Sequence, residues 1–344
     1  MSGATEFIAA SPSADACWRA VVLFGRNTAS YKFALAEALL ALPVNAPDIV
    51  KLEDIALPYA EAICRHLKVT PKQGTSQSSS FLKACAGFND GSLTPDQLRE
   101  STVKLGFINV LDAFHIVNQG EVPYRFFVDQ RVAEKGIQLT DELRALQGSC
   151  HVKSLPKEVE ARWRLVETAW SLGLGTHLID VDHDGENPML LGSLATGRRI
   201  AVTPARDALC GYQKGECFYC FRTIDLGGVD HTAPDVDHFF PHSLKKLGFT
   251  SGVDAVWNLV LACRECNRGS GGKFARVPAL KFLDRLETRN NYYVSSHHPL
   301  RETIMAQTGF TDSERRTFLR SAYRQAKELL IHEWAPDPLG DSSL

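Results

Sequence analysis

Apolar positions recur at helical spacing through most of the first two hundred residues. Tyr31, Leu35, Leu39 and Leu40 follow the three-to-four-residue step of a helix with one buried face. WRAVVLF just before them reads as a short apolar strand or helix, and the helix that follows would be capped by Asn27 or Thr28, whose short polar side chains suit orphan amide hydrogens. DIALPYAEAICRHL, SSFLKACAGF, TPDQLRESTVKLGF and LTDELRALQ read as further helices, and KEVEARWRLVETAWSLGL is the clearest. YRFFV and HLIDV read as strands, and KQGTSQSSS as a loop. From about residue 205 the periodicity gives way to aromatic, cysteine, glycine and aspartate residues, and it returns from VPALKFLDRLETR through TDSERRTFLRSAYRQAKELLIHEW. The expected class is α+β: a helical region over 1–204 for recognition or partner binding, a metal-rich module over 205–290, and a helical region over 291–344.

Composition narrows the picture. A chain of 344 residues with 44% hydrophobic content can bury a core without disulfides. Its 38 basic and 40 acidic residues give a net charge of -2, so any nucleic-acid surface must be local. No stretch approaches the roughly 18 consecutive apolar residues of a membrane span, and the start lacks a charged segment followed by an apolar run. The expectation is a soluble, cytoplasmic protein with no membrane partner. Nine cysteines in a reducing compartment are then read for metal. Cys17, Cys64, Cys85, Cys150 and Cys210 are scattered and read as small buried thiols.

The other four are paired. Cys217 with Cys220, and Cys263 with Cys266, form two C-x2-C knuckles that can close a four-thiolate shell around Zn2+. The plain alternative is four buried thiols. A closed shell has no vacant position, so such a zinc would hold the fold and do no chemistry. Between the knuckles lies DVDHFFPHS, and residues 215–224 and 235–241 read as short strands, with a helix starting after Cys263. Asp237 from a strand and Asn267 from the helix would offer oxygen ligands to one divalent cation, Mg2+ or Mn2+. His238 would face the other way, as strand alternation requires, and serve as a proton acceptor. His242 reads either as a supporting group or as a surface residue.

DVDHFFP followed by WNLVLACRECNRG resembles the HNH family of ββα-metal nucleases, including the HNH domains of CRISPR effector nucleases, many of which carry an added four-cysteine zinc site. The resemblance covers roughly residues 210–275, about a fifth of the chain. It implies an embedded ββα-metal module with His238 as general base and Asp237 and Asn267 as metal ligands. Asn258 would brace the loop or orient the histidine. It also implies metal-dependent hydrolysis of DNA phosphodiester bonds, by nicking or full cleavage, with RNA the lesser candidate. Arg268, Lys273 and Arg276, spaced by glycines, read either as phosphate contacts or as a solvated helix exit. RNTASYKFALAEALLAL is similar to a segment of HNH proteins from bacterial mobile-element and anti-phage loci, Zorya-type systems among them. That likeness implies defence against foreign DNA, with possible protein partners and with Arg26 and Lys32 as candidate contacts. The alternative is a catalytically silent, zinc-stabilised nucleic-acid-binding or adaptor protein. DVDHDG, SFLK and GSGGKF each lack the companion residues of the calcium-loop, serine-acyl and phosphate-loop motifs they imitate.

Overall fold

Ser13 starts the first long helix by accepting a hydrogen bond from the Ala16 amide, and the apolar run WRAVVLF continues that helix, Ala14–Phe24. In this computed structural model residues 3–25, 28–74, 79–117, 120–172, 179–181, 189–193, 199–226, 233–296 and 299–336 are described. They divide into two units, Pro12–Ser171, and Leu172–Leu344 with Met1–Ser11. Among the described residues no helix is long and apolar enough to cross a membrane.

In the first unit the helix Tyr31–Leu40 begins at Ser30, which makes no side-chain cap bond. Thr28 is therefore not its cap, and Asn27 lies outside the described residues, as does Arg26. Phe33, Ala34, Leu35, Ala36, Ala38 and Leu39 are all buried, so this helix is enclosed nearly all round. Lys32 is buried with them and donates to the Ile116 carbonyl, which removes it as a surface contact. Helices Leu52–Val69, Ser80–Asn89, Pro95–Ser101, Asp141–Gln147 and Leu155–Leu172 stand where the periodicity placed them. Arg19 and Glu158 make a buried two-pronged ion pair at 2.8 and 2.9 Å. The strand foreseen at YRFFV begins later, at Phe127–Gln130, and joins an antiparallel sheet with Gly136–Leu139 at its centre and Ile49–Lys51 beyond. Gly136 permits that pairing, because a Cβ there would lie 2.3 Å from the Val50 carbonyl oxygen. Four of the five scattered cysteines are buried; Cys150, in the turns after Asp141–Gln147, is exposed instead.

The second unit holds a three-stranded antiparallel sheet, Ile179–Val181, Met189–Ser193 and Arg199–Pro204. It also holds the helices Lys281–Ser295, Pro299–Thr308 and Asp312–Leu329. A full capping box of Thr311 and Glu314 starts the last of these. Between them an antiparallel pair forms from Asp235–His238 and Leu259–Ala262, followed by the short helix Arg264–Arg268. Residues 215–224 are not a strand: Glu216 and Thr223 make only an isolated bridge, and Lys214 and Phe221 have left-handed φ of 55° and 63°. Those angles turn the chain back into a knuckle, so the second strand is Leu259–Ala262, whose unbroken apolar run LVLA is buried throughout.

A two-stranded ribbon leaves edge groups to satisfy, and buried ones must be paired. Gln213 supplies both kinds of partner to Leu261, accepting from its amide at 2.8 Å and donating to its carbonyl at 2.9 Å. Arg289, from helix Lys281–Ser295, donates to the carbonyls of Leu259 and Trp257 at 2.5 and 3.0 Å. The two phenylalanines of DVDHFFP belong to this core: Phe239 packs on Phe218, and Phe240 on Trp257, Phe249 and Tyr323.

Candidate functional site

The four knuckle cysteines converge. Their sulfurs all lie within 4.8 Å of one another, and all four residues are buried. Cys220 Sγ and Cys263 Sγ are 3.7 Å apart, far longer than a disulfide and close to the roughly 3.8 Å edge of a tetrahedron with metal–sulfur bonds of about 2.3 Å. The Cys263 amide donates to Cys217 Sγ at 3.3 Å, and Cys263 is the N-cap of helix Arg264–Arg268. This cluster could hold one metal ion such as zinc. A four-thiolate shell around a divalent ion carries two negative charges. The Arg285 guanidinium lies close by, stacked 3.8 Å from the centre of the Phe221 ring, and none of its nitrogens finds a hydrogen-bond partner among the described residues. Burial lowers its pKa to about 10, and the negative charge of Glu216, Cys217 and Cys220 opposes that fall.

Beside the sulfurs, alternation along Asp235–His238 puts Asp235 and Asp237 on one face and His238 on the other. Asp237 is 6% exposed. Its Oδ2 accepts from the Tyr219 hydroxyl at 2.7 Å, and its Oδ1 lies 3.1 Å from Lys273 Nζ. Burial pushes the Asp237 carboxyl up and the Lys273 ammonium down, while their ion pair works against both shifts. Lys273 is 0% exposed and also donates to the His238 and Phe274 carbonyls at 2.9 and 3.2 Å. It is an internal strut rather than a surface cation.

Asn267 meets the other carboxylate: its Nδ2 donates to Asp235 Oδ2 at 3.1 Å. Arg268 brackets the same Asp235, with Nη2 and Nε each 3.0 Å from its oxygens. Arg276 donates to the carbonyls of Gly271, Gly272 and Lys273, which ties it to its own loop. Asn258 is fully buried and acts as a clasp. Its Nδ2 donates to the carbonyls of Phe240 and Val253 at 3.0 and 2.7 Å, and its Oδ1 accepts from the Phe240 amide at 2.8 Å.

His238 stands at the strand end with its side chain 20% exposed and Nε2 3.9 Å from Asp254 Oδ1. That is beyond a hydrogen bond. His242 and Lys245 share Asp254 at 3.4 and 2.8 Å. Sequence reasoning missed Tyr219, Asp235 and Asp254. The aspartate of DVD two places before Asp237 was the available signal for Asp235, and nothing local marks the other two.

A second group, Glu37, His66 and Glu160 in the other unit, also brings ligating atoms within 4.8 Å. Arg65 and Arg164 each meet one of its carboxylates at 2.7 Å, and His66 is held between Glu160 and Glu167 at 2.9 and 2.7 Å while stacking on Trp163. Each of these three ligating groups is thus already paired with a charged neighbour. No family model matches the chain, and neither a curated protein nor a solved structure matches it.

Proposed function

We propose that the chain is an HNH-type endonuclease that hydrolyses DNA phosphodiester bonds, with zinc on the four cysteines as a structural ion. The observation that carries this reading is the single hydrogen-bonded unit formed by the strand pair, the short helix and the sulfur cluster. It joins Asp237, Asn258 and Asn267 to a strand whose last residue, His238, faces away from the acids with its side chain 20% exposed. In the proposed reaction His238 takes the proton of the attacking water, and Asp254 steadies the imidazolium that results. Asn258 fixes the turn that follows His238, and Lys273 fixes the His238 carbonyl, so the imidazole is held by its backbone on two sides.

The acid face fits a hard divalent ion in kind. Asp235, Asp237 and Asn267 offer oxygen donors, and a buried ammonium already stands against Asp237 as a stand-in cation. Asp237 and Asn267 would hold Mg2+ or Mn2+. Such an ion, when bound, neutralises charge building on the phosphate and the leaving oxygen. The Asp237–Lys273 pair also favours a second reading, in which the internal cation has replaced the metal and the module binds nucleic acid without cutting it. We assign the chain to defence against foreign DNA on the likeness of its N-terminal segment alone.

Supercoiled plasmid incubated with the wild type and with His238→Ala, with and without Mg2+, separates the readings. The nuclease reading expects open-circle or linear product from the wild type with Mg2+ only. Equal conversion by both proteins removes His238 from the chemistry, and binding without any conversion establishes the silent module.

A further inference from the structure

Phe274 follows the proposed catalytic helix with a φ of 48°, in the left-handed region that bulky side chains rarely adopt. The residue is 55% exposed, so packing does little to repay the strain. The same loop uses glycine where a side chain would not fit: a Cβ at Gly269 or Gly272 would lie 2.7 or 2.9 Å from the Glu265 carbonyl oxygen. At position 274, where glycine would relax the backbone, the chain keeps an aromatic ring. Phe221, also left-handed with a φ of 63°, has its ring covered by the Arg285 guanidinium. Phe274 is 55% exposed, and its backbone is locked at both ends. Its amide donates to the Asn267 carbonyl at 2.9 Å and its carbonyl accepts from Lys273 Nζ at 3.2 Å. The backbone that carries the ring is thus fixed to Asn267 and Lys273, with Arg276 two positions on.

We propose that Phe274 is a stacking platform for an unpaired nucleobase of the bound strand, with Arg276 at the neighbouring phosphate. The assignment rests on the nuclease reading and adds a substrate preference to it, because a base can lie on the ring only where it has left its duplex. Sequence-tolerant stacking and backbone charge are the two elements of single-strand binding.

The test uses full-length, zinc-loaded His238→Ala protein without added Mg2+ or Mn2+, so that nothing is cut, with single-stranded DNA carrying 2-aminopurine and the same sequence as a perfect duplex. Phe274→Ala added to that background should weaken single-strand binding roughly 10- to 100-fold and abolish the stacking-induced quench. Phe274→Trp should restore both, and duplex binding should change little. Phe274→Gly should melt no lower than the parent, since the left-handed angle suits glycine. If Phe274→Ala binds single strands as tightly as the parent, the platform is refuted. Equal weakening by Phe274→Ala and Phe274→Trp refutes it too. If the parent binds neither form of DNA and the wild type never converts plasmid, the nuclease reading falls and takes this assignment with it.

Discussion

Replacing Asn258 by alanine would decide whether this residue serves the reaction or the turn behind it. The side chain is fully buried and answers three backbone groups: the Phe240 amide, the Phe240 carbonyl and the Val253 carbonyl. Alanine leaves all three without water and without a partner. At roughly 1–3 kcal/mol for each stranded buried group, the loss is about 3–9 kcal/mol. That is a large part of the roughly 5–15 kcal/mol that holds a typical domain. Asn258→Asp keeps the acceptor for the Phe240 amide but turns carboxylate oxygen toward two carbonyls, so it should be at least as damaging. Urea titration of zinc-loaded protein, followed by tryptophan emission, should show the midpoint of the Trp257-containing unit falling with its slope unchanged. Plasmid cleavage under fully folded conditions should fall less than it does for His238→Ala. An Asn258→Ala protein that melts like the wild type yet has lost cleavage would refute the clasp and make Asn258 a partner of the histidine.

Three further outcomes follow from the same geometry. Cys263→Ser should lose the bound metal by elemental analysis and lower the solubility or melting temperature of the second unit; a variant with equal metal content and stability would show that the sulfurs do not form the shell. His115 accepts from the Phe126 amide at 2.9 Å, and burial with the nearby Arg125 charge holds its pKa down at about 4. The unfolded chain binds that proton first, so this contribution is complete above about pH 6.5 and is lost as the pH falls toward 4, by roughly 3 kcal/mol. Acid titration of the first unit should therefore flatten in His115→Gln, and an unchanged slope would exclude His115 as the source. Lys273→Met strands the Asp237 carboxylate, which should cost about 3–5 kcal/mol in zinc-loaded protein without other divalent ions and be partly recovered with Mn2+. A melting temperature indifferent to Mn2+ in that variant would show that the acid face does not take the ion.

Much of the helical framework could be read from apolar spacing, because a helix with one buried face declares itself locally. The cysteine pairs were legible for a similar reason, since two knuckles in one segment have few other uses. The second strand was not. LVLA has no alternation to read, because Phe218 and the side chains of Gln213 and Arg289 cover its outer edge and bury it on all sides. CFYCFRTI misled in the opposite direction: its aromatic-rich run imitates a strand, while the left-handed angles at Lys214 and Phe221 fold it into a knuckle. Partner choice within the site was also hidden. Asp237 meets Tyr219 and Lys273, and Asn267 meets Asp235. Each pairing is set by tertiary packing, and residue types alone do not rank one acid above another two positions away.

The sulfur cluster and the acid face are mechanically one object, and the connections say why. Tyr219, which holds one oxygen of Asp237, lies between Cys217 and Cys220. Lys273, which meets the other oxygen, is fixed through its amide to the Cys266 carbonyl at 2.7 Å, and the Asn267 amide bonds the Cys263 carbonyl at 3.0 Å. Every one of these groups is therefore anchored within a residue of a sulfur, or bonded to the backbone of one. An ion that draws four thiolates together sets the backbone from which Asp237 receives both its partners, although it never touches the carboxylate. Removing that ion frees both knuckles at once, so the environment of Asp237 must loosen before the strand pair itself opens, because the Gln213 and Arg289 bonds to Leu261, Leu259 and Trp257 do not pass through the sulfurs.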